Sequence, residues 1–343
     1  MSAQPLAPYT TLRVGGRTPR LVTAETEADL VEQVRTADRE VEPALILGGG
    51  SNVLIGDGGV TGPVVRVATR GVEADVSGCS GAVVTVAAGE NWDALVARAV
   101  EQEWGGGIEV LAGIPGQVGA TPIQNVGAYG SEVAQLISSV RTWDRVADRQ
   151  ATFAAADCGF GFRTSKFKTE PDRYLILAVT FQLPLGSRSA PIRYAELART
   201  LEVAVGERVP AAAARQAVLE LRRAKGMVLD DADVDTWSAG SFFINPILDA
   251  DRAAALPARA PRFAMDDGRV KTSAAWLIEQ SGFGKGYGRP PATLSTKHAL
   301  ALTNRGGATA ADLLGLAREI RAGVRERFGI TLVPEPTLWG CEL

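Results

Sequence analysis

The sequence predicts an α+β protein with more than one domain, and three observations lead to this expectation. The chain has 343 residues, which is too long for one compact core. Helix and strand patterns alternate in the N-terminal third, whereas the middle is rich in glycine loops. The last third again mixes short strands with helices. We therefore expect two mixed domains and a third lobe.

The N-terminal third begins with a predicted helix. Thr26 is a suitable N-cap, and the apolar residues Leu30, Val34 and Ala37 fall on one helical face. Strands are predicted at residues 44–47, 53–55, 64–67 and 83–86. Asn91 caps the next predicted helix, which has the following apolar stripe: Trp92, Leu95, Val96, Ala99 and Val100.

The remaining elements follow from the same signals. A strand is predicted from Tyr174 to Phe181, and Pro210 opens an alanine-rich helix that runs to about Ala224. The last third contains strand-like segments and two helices with apolar faces. The strands are predicted at residues 241–244 and 299–303, and the helices at residues 273–280 and 309–328.

Composition excludes several classes of protein. The net charge is −3 with no dense Lys/Arg tract, which argues against binding to nucleic acid or to an anionic membrane. No apolar run approaches the ~18 residues of a membrane span, and the N-terminus lacks a signal pattern. One histidine and three scattered cysteines predict a reduced, cytoplasmic chain without a metal site.

Gly48-Gly-Gly-Ser-Asn52 lies between two predicted strands. Its backbone N–H groups are suited to cradle a phosphate, and Ser51 and Asn52 add side-chain donors. Neither the dinucleotide fingerprint nor the Walker A pattern is present, because position 53 is Val53 and no Gly-Lys-Ser/Thr follows. A tight turn between strands explains the same residues equally well.

The segment from Ile114 to Gly130 is a second candidate site. Its glycines, prolines and small residues exclude a regular helix or an ordinary strand. A flavin with its pyrophosphate would fit such a segment. The alternative is an irregular surface loop.

Four isolated residues also suggest chemistry. A nucleophilic Ser241 would need a base, and His298 is the chain's one histidine. Ser241 therefore borrows His298, does a different chemical job, or is a packing residue. Arg163 can clamp a carboxylate or phosphate, and Glu335 is held between two prolines. A surface arginine, a solvated glutamate and a structural histidine remain the alternatives.

Together these motifs resemble the UDP-N-acetylenolpyruvoylglucosamine reductase (MurB) family over nearly the whole chain, from Leu6 to Glu335. The resemblance rests on segments that occur in the family's order. They are Leu47-Gly-Gly-Gly-Ser-Asn-Val-Leu54, Ala88-Gly-Glu-Asn-Trp92, Ile114-Pro-Gly through Gly127-Ala-Tyr-Gly130, Phe160-Gly-Phe-Arg163, Gly240-Ser-Phe-Phe-Ile-Asn-Pro246, Ala275-Trp-Leu-Ile278 and Pro334-Glu335.

The resemblance implies an α+β fold of three domains, of which two form an FAD-binding cradle of the flavin-oxidase (PCMH) type and the third binds substrate. We expect these domains at residues 1–71, 72–209 and 210–343. The implied FAD contacts are Gly48, Gly49, Gly50, Ser51, Asn52, Ile114, Thr121, Ile123 and Gly127. The implied substrate contacts are Tyr194, Lys225, Asn245 and His298. The segment that contains Tyr194 resembles the tyrosine-bearing loop found in the family's longer subtype.

The implied reaction is the NADPH-dependent, FAD-mediated reduction of UDP-N-acetylglucosamine enolpyruvate to UDP-N-acetylmuramate. It belongs to peptidoglycan precursor synthesis, and hence to cell-wall biogenesis, cell shape and division. The implied partners are this substrate and NADPH, and we expect a monomer. Arg163 and Glu335 would stabilise charge, and Ser241 would donate a proton to a carbanion-like carbon, which needs no histidine.

Two residues depart from the family pattern, and two other functions remain as alternatives. Phe162 stands where the family commonly has tyrosine, and His298 stands where some relatives have glutamine. An FAD-dependent sugar or alcohol oxidase with the same cradle is the nearest alternative. The absence of any histidine before His298 excludes the histidine tether that many such oxidases use. A nucleotide-sugar-binding protein without catalysis is the other alternative.

Overall fold

The computed structural model describes residues 3–42 and 44–343 and divides into two compact units. The first unit comprises, among the described residues, 18–49 and 61–224. The second comprises residues 3–17, 50–60 and 225–343. The predicted domain boundaries after residues 71 and 209 stay a prediction.

Helices and strands are distributed over the whole described chain. The α-helices are α1 Glu27–Arg39, α2 Trp92–Glu101, α3 Lys166–Thr169, α4 Ala195–Thr200, α5 Ala211–Ala224, α6 Ala250–Ala254, α7 Ala274–Gln280 and α8 Ala310–Phe328. The strands are β1 Gln4–Pro5, β2 Arg17–Thr18, β3 Arg20–Ala24, β4 Leu45–Leu47, β5 Val53–Ile55, β6 Pro63–Val67, β7 Val72–Ser77, β8 Gly81–Ala87, β9 Gly127–Ala128, β10 Ser131–Glu132, β11 Ile137–Asp144, β12 Arg149–Ala154, β13 Tyr174–Leu183, β14 Ile247–Leu248, β15 Arg262–Ala264, β16 Val270–Thr272, β17 Gly288–Arg289, β18 Ala292–Leu294, β19 Leu302–Asn304 and β20 Thr337–Trp339. Short 3-10 helices cover Ala7–Tyr9, Ile108–Leu111, Val118–Ala120, Val133–Gln135, Ala155–Cys158 and Val234–Thr236.

The described part of the first unit has two larger sheets and the short β9-β10 pair. Five antiparallel strands lie in the order β12-β11-β13-β8-β7, and the parallel strands β3, β6 and β4 form the second sheet. Alternate residues of β8, such as Val84 and Val86, are fully buried, which gives this strand one core face. The α1 helix packs against β3 and β6.

Arginine–carboxylate pairs join α1 to the five-stranded sheet within this unit. Arg145 at the end of β11 contacts Asp38 of α1, with an N–O distance of 2.5 Å. Arg35 of α1 contacts Asp148 at 2.7 Å through two parallel hydrogen bonds. Bidentate pairs of this kind fix orientation more strongly than single contacts do.

The second unit has one hydrophobic core beneath short sheets. The core includes Phe242, Leu277, Leu294, Leu313 and Ile320, each at most 1% exposed. The three-stranded sheets are β14-β16-β15 and β17-β18-β19, and β20 pairs in parallel with β5. Chain segments distant in sequence thus meet at the β5–β20 pair.

The predicted helices are confirmed, and the two predicted caps, Thr26 and Asn91, lie where the sequence places them. Thr26, Asn91, Ser273 and Thr309 each accept a hydrogen bond from a backbone N–H in the first turn. Ala44 lies outside β4, so that strand is one residue shorter than predicted. Among residues 3–42 and 44–343, no helix is long and apolar enough to cross a membrane.

Two predicted strands in the second unit are wrong in detail. Residues 241–244 form only an isolated bridge, between Phe243 and Pro334. The N–H of Phe242 bonds to Leu300 and that of Ile244 to Val333, so no continuous ladder with one partner develops. The strand expected at 299–303 begins later, at Leu302, because a bond from the Ala301 N–H to the His298 carbonyl closes a turn.

Candidate functional site

Gly48 and Gly49 lie against the Gly116–Gln117 backbone of the first unit. A Cβ atom on Gly49 would stand 3.0 Å from the Cα of Gly116, and one on Gly48 would stand 2.9 Å from Oε1 of Gln117. A side chain at Gly49 would press on the Gly116 backbone, and one at Gly48 would displace the end of the Gln117 side chain, so this close approach favours glycine. The two glycine-rich segments singled out in the sequence adjoin each other here.

The Ile114–Gly119 segment is also fixed to the Ala88–Trp92 segment. The N–H groups of Val118 and Gly119 donate to Glu90 and Ala88 at 2.9 Å each, and the Trp92 N–H donates to Gly116 at 3.1 Å. Just before Ile114, the Gly113 N–H donates to Asp93 of α2 at 2.7 Å. These bonds satisfy backbone groups of a segment that, before the 3-10 helix Val118–Ala120, has no regular secondary structure.

The other predicted cofactor residues of this loop, Gly50, Ser51 and Asn52, belong to the second unit. Gly50 has φ 62°, and a Cβ there would collide with the carbonyl oxygen of Tyr9, so only glycine fits. Ser51 is half-buried beside it. The Asn52 carbonyl accepts from Thr337 at 3.0 Å, and the Asn52 amide lies 3.5 Å from the Glu335 carbonyl oxygen. Asn52 is thus brought beside Glu335.

In the first unit, Arg163 lies beside the loop that contains Thr121, Ile123 and Gly127. Its Nη2 donates to the Gly127 carbonyl at 3.0 Å. A Cβ on Gly127 would stand 2.8 Å from Cγ of Glu132 and 3.4 Å from Nη1 of Arg163. Thr121 is buried and donates to Val118 at 2.8 Å. The predicted catalytic residue Arg163 therefore packs against the loop that contains three of the predicted cofactor residues.

Ser241 and Glu335 lie on neighbouring segments of the second unit. The Glu335 N–H donates at 2.8 Å to the carbonyl of Phe242, the residue that follows Ser241 in the chain. Phe242 and Phe243 pack edge-to-face with centroids 5.1 Å apart in the core, whereas Ser241 is only half-buried. The aromatic pair thus holds the backbone on which the serine hydroxyl is presented.

His298 belongs to a segment held by a buried carboxylate. Asp235 accepts from the Thr296 N–H at 2.8 Å and from the Thr296 hydroxyl at 2.5 Å. Arg305 reaches the same carboxylate at 2.8 Å. Burial by itself would raise the pKa of Asp235, but the bonds from Thr296 and Ser295 and the charge of Arg305 outweigh it. The pKa therefore lies below its ordinary value.

Asn245, Lys225 and Tyr194 are the other predicted substrate contacts. The Oδ1 of Asn245 accepts from the Ala274 N–H at 2.9 Å, so this oxygen caps α7. Lys225, directly after α5, is half-buried. Tyr194, in the first unit, is 44% exposed and packs edge-to-face on Tyr129 at 5.4 Å. Burial raises the pKa of Tyr129 to about 12, against a smaller opposing effect of the Arg222 charge.

Two residues that support the predicted site were missed in the sequence. Asn125 bonds to the turn before Arg163, and Asp235 anchors the segment of His298. Neither belongs to a short pattern with its partners, so no local signal identifies them. Within the described parts of the chain, no group of three or more His, Cys, Asp or Glu residues is arranged to hold a metal ion.

Comparison with known proteins decides the family. The UDP-N-acetylenolpyruvoylglucosamine reductase of Cutibacterium acnes is 60% identical over 342 residues, which cover 99% of this chain and 90% of that protein. This chain belongs to the UDP-N-acetylenolpyruvoylglucosamine reductase family. The reductase of Streptomyces avermitilis is 55% identical and covers 99% of this chain and 94% of its own length.

Family models and a solved structure agree with this assignment to the reductase family. Residues 18–153 match the FAD binding domain, and residues 232–339 match the UDP-N-acetylenolpyruvoylglucosamine reductase C-terminal domain. The crystal structure of the reductase from Thermus caldophilus superposes with a TM-score of 0.67 at 27% identity, covering 98% of each chain. The predicted α+β fold, with an FAD-binding part and a substrate-binding part, is confirmed.

The predicted enzyme class is confirmed as well, and the residues of the first unit fit the cofactor. The reductase is an FAD-dependent oxidoreductase of peptidoglycan synthesis with NADPH as co-substrate. Gly49 and Gly116 meet as backbone without side chains, and backbone of this kind can offer N–H donors to a pyrophosphate. Gly48, Gly49, Ile114, Thr121, Ile123 and Gly127 are the first-unit residues predicted to hold FAD.

Proposed function

We propose that Ser241, Arg163 and Glu335 are the catalytic residues with which this reductase converts UDP-N-acetylglucosamine enolpyruvate to UDP-N-acetylmuramate. The observation that supports this is the pairing of the Ser241 and Glu335 segments through the 2.8 Å bond from the Glu335 N–H to the Phe242 carbonyl. It holds a hydroxyl and a carboxylate on neighbouring backbone. FAD, when bound, supplies the hydride, received from NADPH, from its N5 to C3 of the enolpyruvyl group.

Arg163 stabilises the charge that hydride addition creates. Addition at C3 leaves negative charge at C2, which is delocalised into the substrate carboxylate. A guanidinium held in a fixed orientation stabilises this added charge more than it stabilises the ground state, in which the enolpyruvyl group carries only the charge of its carboxylate. The 3.0 Å bond from Arg163 Nη2 to the Gly127 carbonyl fixes one edge of the guanidinium, and a guanidinium is suited to bind a carboxylate.

Ser241 donates the proton that completes the reaction at C2. A carbanion-like carbon is far more basic than an amide carbonyl, so a serine hydroxyl can protonate it without an imidazole base. The half-buried position of Ser241, on backbone fixed by Phe242 and Phe243, is consistent with a hydroxyl presented to a ligand.

Glu335 has an electrostatic or orienting role rather than that of a base. A carboxylate beside a developing anion is unfavourable unless it is protonated or acts through a cation. Pro334 and Pro336 restrict the backbone on both sides of Glu335. We propose that Glu335 has its electrostatic or orienting role toward the substrate from this fixed position.

The remaining site residues divide between cofactor and substrate. We assign to FAD the residues Gly48, Gly49, Gly50, Ser51, Asn52, Ile114, Thr121, Ile123 and Gly127. We assign to the nucleotide-sugar substrate Tyr194, Lys225, Asn245 and His298. For Asn245, the Nδ2 group is the donor that we assign to substrate, because Oδ1 accepts from Ala274.

The experiment that tests the proposal separates the two half-reactions of the Ser241→Ala enzyme. We expect normal FAD content and normal bleaching of the flavin by NADPH. Reoxidation by the enolpyruvyl substrate should slow by about 10²–10⁴-fold, the usual contribution of a general acid. Stopped-flow absorbance of the flavin measures both rates.

Ser281→Ala is the matched control, because its hydroxyl only donates to Leu277 at the end of α7. It should reoxidise at the rate of the unmodified enzyme. Equal loss of both half-reactions in Ser241→Ala would overturn the role of the serine. Rapid reoxidation of the reduced enzyme by air, without enolpyruvyl substrate, is the outcome that the sugar or alcohol oxidase alternative predicts.

Three further properties belong to this proposal. We infer a monomer in the cytoplasm, with domains at residues 1–71, 72–209 and 210–343. Light scattering of the purified enzyme measures its mass, which is 36.0 kDa for one chain. Limited proteolysis tests the boundaries, because protease should cut first near residues 71 and 209.

A further inference from the structure

Asn125 is a buried polar residue to which the reaction proposed above gives no role. It is 1% exposed and lies in the first unit, on the loop that contains Thr121, Ile123 and Gly127. Its φ of 47° is in the left-handed region, which asparagine tolerates better than most residues. A buried amide in this conformation requires hydrogen-bond partners.

The Asn125 side chain joins three segments of the first unit. Its Nδ2 donates to Oε2 of Glu132 at 2.8 Å and to the Gly161 carbonyl at 3.1 Å. Its Oδ1 accepts from the Ala134 N–H at 3.0 Å. Donor and acceptor are thus both used, and the bond to the Glu132 carboxylate is charge-assisted.

One of these bonds holds the turn that carries Arg163. Gly161 and Thr164 exchange backbone hydrogen bonds at 3.1 and 3.3 Å, which closes a tight turn around Phe162 and Arg163. Arg163 itself has φ 54°, a strained conformation for arginine that its surroundings must maintain.

The turn is attached to the Thr121–Gly127 loop at three successive places. Asn125 bonds to Gly161 before Arg163, Arg163 Nη2 bonds to the Gly127 carbonyl at 3.0 Å, and Ser165 Oγ bonds to the Ile123 carbonyl at 2.6 Å. The guanidinium therefore lies between two fixed points. If the bond from Asn125 or the bond from Ser165 is lost, the turn is attached to the loop on only one side of Arg163, and we expect it to rotate more freely.

We propose that Asn125 is a positioning residue for the reduction of the enolpyruvyl group and acts through Arg163. It keeps the strained turn closed onto the Thr121–Gly127 loop, so that the guanidinium has one orientation when substrate binds. This inference rests on the proposed function, which assigns Arg163 its catalytic role. Misplacement of a catalytic group by about 1 Å is enough to cost on the order of 10²-fold in rate.

The side-chain amide of Asn125 has no equivalent among similar residues. Aspartate has the same shape but lacks the two N–H donors, and its carboxylate would face that of Glu132 across the position of the present 2.8 Å bond. Like charges at this distance repel, so the Gly161 attachment would be lost. Asn125→Asp therefore removes the anchor with the least change in volume.

The test is a double-mutant cycle with Asn125→Asp and Arg163→Lys, measured as single-turnover reoxidation of the reduced enzyme by the enolpyruvyl substrate. Asn125→Asp alone should slow reoxidation by about tenfold or more. In the Arg163→Lys background, which lacks the planar group to be positioned, the same change should slow it by less than about threefold. Flavin reduction by NADPH should be unchanged, because hydride transfer to the flavin does not involve Arg163 in this proposal.

Asn304→Asp is the matched control, since Asn304 is an equally buried amide in the second unit. It is 2% exposed, donates to the Leu12 and Arg13 carbonyls, and accepts from the Gly306 and Ala308 N–H groups. Its cost comes from burying a carboxylate in the second unit, on a segment that is not part of the turn and loop that hold Arg163. We expect its effect on reoxidation to be the same factor in both backgrounds.

The outcomes separate the inference from the proposed function. If Arg163→Lys leaves reoxidation unchanged, the catalytic role of Arg163 fails and the inference fails with it. If Arg163→Lys slows reoxidation but Asn125→Asp acts by an equal factor in both backgrounds, Asn125 is only structural and the inference alone is overturned. Should Asn125→Asp not fold with FAD, Ser165→Ala removes the other attachment and must show the same coupling to Arg163.

Discussion

The segments that carry Arg163 and His298 are fixed by different chemistry. In the first unit, the uncharged side chains of Asn125 and Ser165 attach the turn of Arg163 to the Thr121–Gly127 loop, and the Lys168 ammonium donates to the Arg163 carbonyl at 3.0 Å. In the second unit, the segment of His298 is held by the Asp235 carboxylate, which Arg305 contacts at 2.8 Å.

Because of this difference, we expect the two segments to respond differently to pH and to the loss of a bonding partner. The bonds that Asn125 and Ser165 donate to the Gly161 and Ile123 carbonyls join groups that do not titrate, so pH does not act on these two bonds directly. A buried carboxylate is stable only while all of its partners remain, because an uncompensated buried charge is costly. We call the Asn125 and Ser165 bonds the first anchor and the Asp235 carboxylate with its partners the second anchor. We expect the first anchor to act mainly on the reaction rate and the second mainly on the free energy of unfolding.

The largest expected effect is that of Asp235→Asn on stability. The change leaves the Arg305 guanidinium, whose side chain is 14% exposed, without its carboxylate. Breaking a buried pair from one side costs about 3 kcal/mol, at the low end of the usual range. Urea unfolding followed by tryptophan fluorescence measures the loss in the free energy of unfolding.

Asp233→Asn is the control for this prediction. Asp233 contacts Lys297 at 2.6 Å, but both side chains are more than a quarter exposed, so the pair contributes at most about 1 kcal/mol. The contrast between ionic and neutral anchors does not hold if Asp235→Asn and Asp233→Asn destabilise the enzyme equally.

The next effect is the acid dependence of the second anchor. The folded pKa of Asp235 is lowered, so its stabilisation is present above the unfolded pKa of about 4 and is lost as pH falls through the folded value. The hydrogen bond to Asp233 raises the pKa of the neighbouring Lys297, so Lys297 stays charged over this range. Unfolding free energies measured from pH 6 to pH 3 should converge for the unmodified enzyme and Asp235→Asn. A constant gap down to pH 3 would exclude a role for this ionisation.

Sequence reasoning succeeded where the determining contacts are local. The N-caps Thr26, Asn91, Ser273 and Thr309 bond to backbone within their own first turns, so three or four residues predict each helix start. The strand predicted at 241–244 failed for the opposite reason. Its N–H groups bond to Leu300 and Val333, and no local pattern specifies such partners.

The same distinction applies to the site. Backbone from another segment approaches Gly49 and Gly50 closely, which explains why glycine occupies these positions. The resemblance to a family is what allowed a role in FAD binding to be predicted for them. Asn125 and Asp235 act on Gly161 and Thr296, which are 36 and 61 residues away in sequence. A single asparagine or aspartate has no signal over such separations, so these anchors required a three-dimensional structure.

The smallest expected effect is that of Phe162→Tyr, which tests whether the turn of Arg163 is already fixed without a tyrosine hydroxyl. The Phe162 ring lies 5.6 Å from the Arg163 guanidinium and is half-buried, so a hydroxyl can be added at its edge. If the Asn125 and Ser165 attachments already fix the turn, the hydroxyl common in the family adds little. Turnover should change by less than about tenfold, on the order of 1.4 kcal/mol. A larger gain in steady-state turnover would mean that the turn is poorly held in this chain and that the tyrosine is part of the anchor.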